Sequence, residues 1–228
     1  MIKRLDEMAD SAAKENPEKI SETPEPISRR IPRNPELLFT NNLTKENAGD
    51  VMETAITGKL VVAGIQSQGS FTAMREIRRL LQSDHLVAVS LLGILGFNAV
   101  ARICPECKVA VEYQLEETDF VFLSDKPMKI EGCEGMGCDA CDGKGYNGRI
   151  LIHESFEISP RIRTSILSSM ALRDLRMAAK REGMTTLLDA AWALAEAGET
   201  PLAEVGRIAE LTDPGRDESG NGEKTIGS

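Results

Sequence analysis

From residue 35 onward the chain alternates short runs that are apolar on both sides with longer runs that are apolar on one side only. "PELLFTNN" (35–42) is a short apolar run ended by turn residues and reads as a buried strand. Thr44 is placed to N-cap a helix whose apolar positions Ala48, Val51, Met52, Ala55 and Ile56 share one face, with Gly58 closing it. "LVVAGI" (60–65) is apolar and β-branched, as expected of a strand covered on both faces in a parallel sheet. Ser70 opens a helix with Met74, Ile77, Leu80 and Leu81 along one side, and the apolar run from about 84 to 100 reads as a second helix that packs into the core. Strand, helix, strand, helix is the pattern of an α/β sheet.

A cysteine-bearing segment follows, and after it "GRILIHESFEI" (148–158) reads as a strand. Ser159-Pro160 and Thr200-Pro201 each place a capping residue before a proline that suits the first helical position. Between them lie two amphipathic runs, one carrying Leu172 and Leu175, the other Leu187, Leu188 and Leu194. The first residues are polar and carry Pro24, Pro26 and Pro32, and the last, "TDPGRDESGNGEKTIGS", are polar and mostly acidic, so both ends are expected to be disordered.

Composition narrows the function. The 228 residues are 41% hydrophobic and 4% aromatic, which allows a real but aliphatic core. A net charge of −9 argues against non-specific nucleic-acid binding, which needs a basic surface. The start of the chain is charged throughout and has no apolar signal region, and glycines break its longest apolar stretch short of a membrane span. The expectation is a cytoplasmic chain without a transmembrane segment. In that reducing setting, paired cysteines point to metal more than to disulfides.

"ICPECK" sets Cys104 and Cys107 two apart, and "GCDACDGKGYNGR" does the same with Cys138 and Cys141. Each C-x-x-C supplies two thiolates from one turn, and together they suit tetrahedral zinc. Gly143 and Gly145 allow a sharp turn after the second pair. Arg102, Lys108, Lys144 and Arg149 lie near enough in sequence to offset a site charge of about −2. With all four ligands from protein, the zinc would be structural and would leave no open position for water. Free thiols or a redox pair are the alternative. Cys133 reads as a bystander thiol, with replacement of one ligand the less favoured option. "CDACDGKG" also fits the motif of a heat-shock co-chaperone zinc domain, but that motif recurs four times there and "CPECKVAV" lacks its glycines.

A wider resemblance runs from Asn34 to Leu211. The order of segments is similar to the C-terminal part of the type II secretion and type IV pilus assembly ATPases. "NAGDVMETAITGKLVVAGIQSQGSFTAMREIRRLL" resembles their helix, Thr-Gly-His turn and strand, and "SLLGILGFNAVARICPECK" resembles their "SLLGVLAQRLVRRLCPHCK". "GCDACDGKGYNGRILIHE" fits their "GCxxCxxxGYxGRxxIxE" at Gly137, Cys138, Cys141, Gly145, Tyr146, Gly148, Arg149 and Glu154. The resemblance implies an α/β fold, a truncated RecA-like ATPase C-terminal part with a four-cysteine zinc knuckle and a C-terminal helical subdomain. The expected organisation is a disordered segment (1–33), a partial ATPase core (34–100), the knuckle segment (101–150), the helical subdomain (151–212) and a disordered acidic tail (213–228).

Several family features are altered. No G-x-x-x-x-G-K-[ST] phosphate loop occurs in the sequence. Asn42 stands where the resemblance places the catalytic glutamate, Thr44 replaces an arginine, Gln66 replaces the histidine of the family's "TLHT" box, and Phe97-Asn98 replaces a Gln-Arg pair. Neither ATP nor magnesium is therefore expected as a cofactor. The reading is a non-catalytic relative that makes protein contacts in a secretion or pilus system. Its expected partners are ATPase subunits or the inner-membrane platform protein, at the cytoplasmic side of that membrane. The alternatives are a split or remnant ATPase completed by a separately encoded phosphate-loop half, and an unrelated zinc-knuckle scaffold or co-chaperone-like protein.

Overall fold

The computed structural model describes residues 37–114 and 129–212. The expectations for residues 1–33 and 213–228 lie outside the described residues. Strand β1 (Leu37–Thr40) and strand β2 (Leu60–Ala63) pair in parallel, Leu37 opposite Leu60 and Phe39 opposite Val62. Helix α1 (Ala48–Ile56) joins them and packs against β2. The two loops beyond the strands are bonded together, Leu43 N–H donating to Gly64 O at 2.7 Å and Gly64 N–H to Thr40 O at 2.8 Å. A β-carbon at Gly64 would collide with the carbonyl of Asn41, so this crossing needs glycine.

Two details depart from expectation here. Asn47, not Thr44, holds the N-cap position of α1, and Thr44 lies in the turn before it, its N–H donating to Asn47 Oδ1 at 2.8 Å. β1 is not the buried strand expected, nor is β2 covered on both faces: Leu37, Phe39 (61% exposed) and Val62 share an open side. Among the described residues only these two short strands pair here, with one helix packed against them.

Helix α2 (Ser70–Leu81) opens at Ser70 as expected. The run from 84 to 100 is not one helix. Ser83 caps a short helix α3 (Asp84–Ser90), accepting the Leu86 N–H at 3.2 Å, and the chain then turns into strand β3 (Gly93–Ile103). Burial alternates there, with Ile94, Val100 and Ile103 inside and Leu95 and Phe97 outside. Gly93 and Gly96 weaken a helix and allow close contact with the partner strand, where a Gly93 β-carbon would lie 3.0 Å from Phe156 O. That partner is β6 (Tyr146–Glu157), the expected strand, antiparallel to β3 with Gly93 opposite Glu157 and an irregularity between Ala101 and Ile103.

Between β3 and β6 the chain forms an antiparallel pair, β4 (Lys108–Gln114) and β5 (Lys129–Gly135). After β6 come α4 (Pro160–Leu167), α5 (Leu172–Arg181), α6 (Leu187–Glu196) and α7 (Leu202–Thr212). Ser159 caps α4 ahead of Pro160, as the dipeptide predicts, accepting the Ile162 N–H at 3.1 Å. Thr200 does something else with its hydroxyl, which donates to Ala101 O of β3 at 2.7 Å. Arg207 donates to Ala99 O at 2.7 Å and Ile103 N–H to Glu199 O at 3.0 Å, so the α6–α7 connection closes part of the β3 edge.

The main core lies where the inner face of β3 and β6 (Val100, Ile152) meets Leu187, Ala191 and Trp192 of α6 and Val205 and Ile208 of α7. Phe71 of α2 stacks on Phe156 of β6 with ring centres 4.7 Å apart. Met74, Val87, Ile162, Ile166 and Leu175 are fully buried, so α2 to α5 share a well-packed interior.

Candidate metal centre

The cysteine pairs sit at the ends of strands. Cys104 follows β3, Cys107 precedes β4, and between β5 and β6 Cys138 caps a single 3-10 turn (Asp139–Cys141) that Cys141 ends. The β3–β6 and β4–β5 pairings therefore deliver both C-x-x-C turns to one place. Sulfur separations are 3.9 Å for Cys104–Cys138, 3.9 Å for Cys107–Cys141 and 3.8 Å for Cys138–Cys141. All four sulfurs lie within 4.8 Å of one another. A tetrahedral centre with metal–sulfur bonds of about 2.3 Å places its sulfurs roughly 3.8 Å apart. Disulfides need about 2.05 Å, so these are free thiols in metal-ligand geometry.

Backbone amides support the sulfurs. Gly137 N–H donates to Cys107 Sγ at 3.3 Å, and Cys141 Sγ accepts from Cys138 N–H at 3.3 Å and Gly145 N–H at 3.2 Å. The turns that aim these amides require left-handed backbone, with φ of +89° at Gly137 and +78° at Gly145. Donation from the Cys138 amide holds the Cys141 thiol down at about 6, while burial pushes Cys107 up to about 11 and Cys138 upward. A divalent cation placed among the four sulfurs would offset the charge of thiolates gathered this closely. The arrangement can thus hold a metal, and its four-sulfur shell offers that ion no open position.

Gly135, which no sequence motif singles out, lies at the closest approach of β5 to the turn before β6. It passes so close to Gly145 that a β-carbon on either would meet the other's carbonyl oxygen. Two of the basic residues near the cysteines have other partners: Lys144 pairs with Asp142 at 3.4 Å and Arg102 approaches Glu199 at 3.9 Å. Cys133 lies apart from the cluster in β5, opposite Ala110, where a β-carbon on Gly198 would be 2.8 Å from its sulfur and 3.1 Å from Lys108 Nζ.

Of the positions that the resemblance relates to ATPase machinery, Asn42, Thr44 and Gln66 lie beyond the carboxyl ends of β1 and β2. Asn42 is exposed, and its carbonyl accepts from Asn47 Nδ2 at 2.8 Å. Thr44 is half-buried in the same loop, and Gln66 is exposed beyond β2. Together they offer amides and a hydroxyl but no carboxylate. Phe97 is exposed on the outer face of β3–β6, its ring 6.4 Å from that of His153. Among the described residues, no helix is long and apolar enough to cross a membrane.

Comparison with known proteins agrees with the segment order. The chain is 30% identical over 177 residues to the type IV pilus assembly ATPase PilB of Thermus thermophilus, an alignment covering 76% of this chain and 20% of that protein. It is 31% identical over 163 residues to the type II secretion system protein HxcR of Pseudomonas aeruginosa, covering 72% and 31% respectively. The chain thus spans a third or less of the length of these relatives. In fold it is similar to the ATPase DotB of Yersinia pseudotuberculosis and to the pilus retraction motor PilT bound to ADP. Each superposes with a TM-score of 0.53 at 15% identity, over 82% of this chain and 39% and 43% of theirs. A family model described as "Type II/IV secretion system protein" matches residues 43–207, and the chain belongs to that family.

Proposed function

We propose that this chain is a non-catalytic member of the family that works by protein contact in a secretion or pilus system, with a structural zinc held by Cys104, Cys107, Cys138 and Cys141. The observation that carries this reading is the outer face of the β3–β6 ribbon. An antiparallel pair with one face on the core ordinarily presents polar side chains on the other. Here Leu95, Phe97 (57% exposed) and Leu151 (68% exposed) share the outer face, with Ala99 opposite Leu151 and His153 and Ser155 as the polar residues opposite Phe97 and Leu95. Such a patch marks a contact site. The partners this family reading favours are ATPase subunits and the inner-membrane platform protein, which places the chain on the cytoplasmic side of that membrane. The segments 34–100, 101–150 and 151–212 then serve as partial ATPase core, knuckle and helical subdomain.

Affinity capture from the native host tests it. The wild-type chain is expected to recover an identified secretion or pilus ATPase or platform protein. Phe97→Asp, which puts a charge in the middle of the patch, should lower recovery by about tenfold or more without unfolding the exposed site. Recovery of no such component by the wild type overturns the reading.

A second expected result concerns nucleotide. The purified chain should show no magnesium-dependent ATP hydrolysis above a buffer blank. Phosphoryl transfer depends on positioning and charge neutralisation, and Asn42 can neither take a proton from water nor carry charge beside magnesium. Asn42→Glu alone should not produce turnover, because Thr44 and Gln66 remain as they are. Hydrolysis that disappears on substituting Asn42 or Gln66 would show the chain to be catalytic.

A further inference from the structure

Glu154 is a carboxylate with 3% of its surface exposed, on a strand whose neighbours in the core are apolar. Its Oε1 accepts the Ser70 N–H at 2.5 Å, and its Oε2 accepts the Leu187 N–H at 3.0 Å. Ser70 is the first residue of α2 and Leu187 the first of α6. One side chain therefore receives the leading amides of two helices that lie 84 and 33 residues away from it in sequence. The positive ends of two helix dipoles face this one negative group, which compensates for burying it.

The surroundings are shaped for that carboxylate. Gly69 holds the N-cap position of α2 and has no side chain to cap with; a β-carbon there would lie 3.1 Å from Glu154 Oε1. A β-carbon on Gly96 of β3 would lie 3.0 Å from Glu154 Cγ and 3.2 Å from Ser70 N. α2 has thus exchanged a local cap for one supplied by β6. α6 keeps its own reciprocal cap between Thr186 and Asp189 and receives Glu154 in addition.

We infer that Glu154 is a clamp that locks the start of α2 to the start of α6 through β6, so that the two helix ends open and close as a unit. The inference does not depend on the proposed partners or on metal.

In the 228-residue chain, Glu154→Ala is expected to lower Tm by about 10 °C. Amide exchange at both Ser70 and Leu187 should rise by about tenfold or more. The substitution leaves a small anion-sized space between two helix ends, so sodium formate should recover part of the lost Tm where sodium chloride at equal ionic strength does not. Glu154→Gln keeps the volume but puts a donor where one acceptor was, and should raise exchange at both amides together; a rise at one amide alone overturns the clamp. Unchanged exchange at both amides in Glu154→Gln overturns the clamp, whether or not the alanine variant folds. Equal effects of formate and chloride on a folded Glu154→Ala also overturn it, since the loss would then be one of packing.

Discussion

Cys138→Ser is expected to strip the metal and loosen residues 101–149, while Cys133→Ser leaves both metal content and exchange unchanged. The contrast follows from position. Cys138 Sγ lies 3.9 Å from Cys104 Sγ and 3.8 Å from Cys141 Sγ, and a serine hydroxyl is a poor zinc ligand at that vertex. Cys133 lies against Gly198 instead. Structural zinc in small domains is worth about 10–16 kcal/mol at neutral pH, so losing one ligand removes most of what holds the knuckle. The rest of the fold should survive, because the core around Trp192, Leu187 and Ile208 uses none of the cysteines. Metal analysis of the purified wild type under reducing conditions should give one zinc per chain, and hydrogen exchange should place the variant's loosening between β3 and β6. Wild-type zinc well below equimolar would sink the assignment.

How much was legible beforehand depended on the range of the interaction. The β1–α1–β2–α2 order follows from local patterning, and the four thiols follow from two short spacings, because each C-x-x-C turn is built within a few residues. The run after Ser90 misled for a physical reason. "LLGILGFNAVARI" is apolar enough to satisfy helical and extended periodicity alike, and what decides is pairing with β6, some fifty residues further on. The open side of β2 has a related origin: an apolar strand predicts burial only if something covers it, and here Phe39 and Val62 face outward. Glu154 stood in a recognisable motif, but motif spacing cannot say that its oxygens meet Ser70 and Leu187. The β4–β5 pair was within reach, since "KVAVEYQ" alternates in the manner of a strand. Residue type alone suggests caps at Thr44 and Thr200, whereas the structure gives the α1 cap to Asn47 and the Thr200 hydroxyl to a strand edge.

Gly135→Ala should damage the metal centre about as severely as loss of a ligand, although residue 135 contributes no ligand. Gly135 ends β5 opposite Lys108, and Met136 then donates its N–H to Cys107 O at 3.1 Å. An added β-carbon would lie 2.8 Å from Gly145 Cα and closer still to the carbonyl carbon and oxygen of that residue. The obstacle is backbone, so no rotamer change relieves it, and the two chains must part. That movement carries Gly137 and Gly145, whose amides donate to Cys107 Sγ and Cys141 Sγ. Gly145 O also accepts the Cys104 N–H at 2.9 Å, so three of the four ligand positions shift. The expected cost is about 3 kcal/mol or more, with zinc affinity reduced by at least about a hundredfold. Gly143→Ala is the control. Gly143 has φ of +75° but open space around it, so alanine there should cost only about 1 kcal/mol and leave zinc in place. Competition with a chelator measures both variants on one scale. If Gly135→Ala holds zinc as tightly as Gly143→Ala, the knuckle tolerates separation of these strands, and the close approach of Gly135 to Gly145 is not what sets the sulfur geometry.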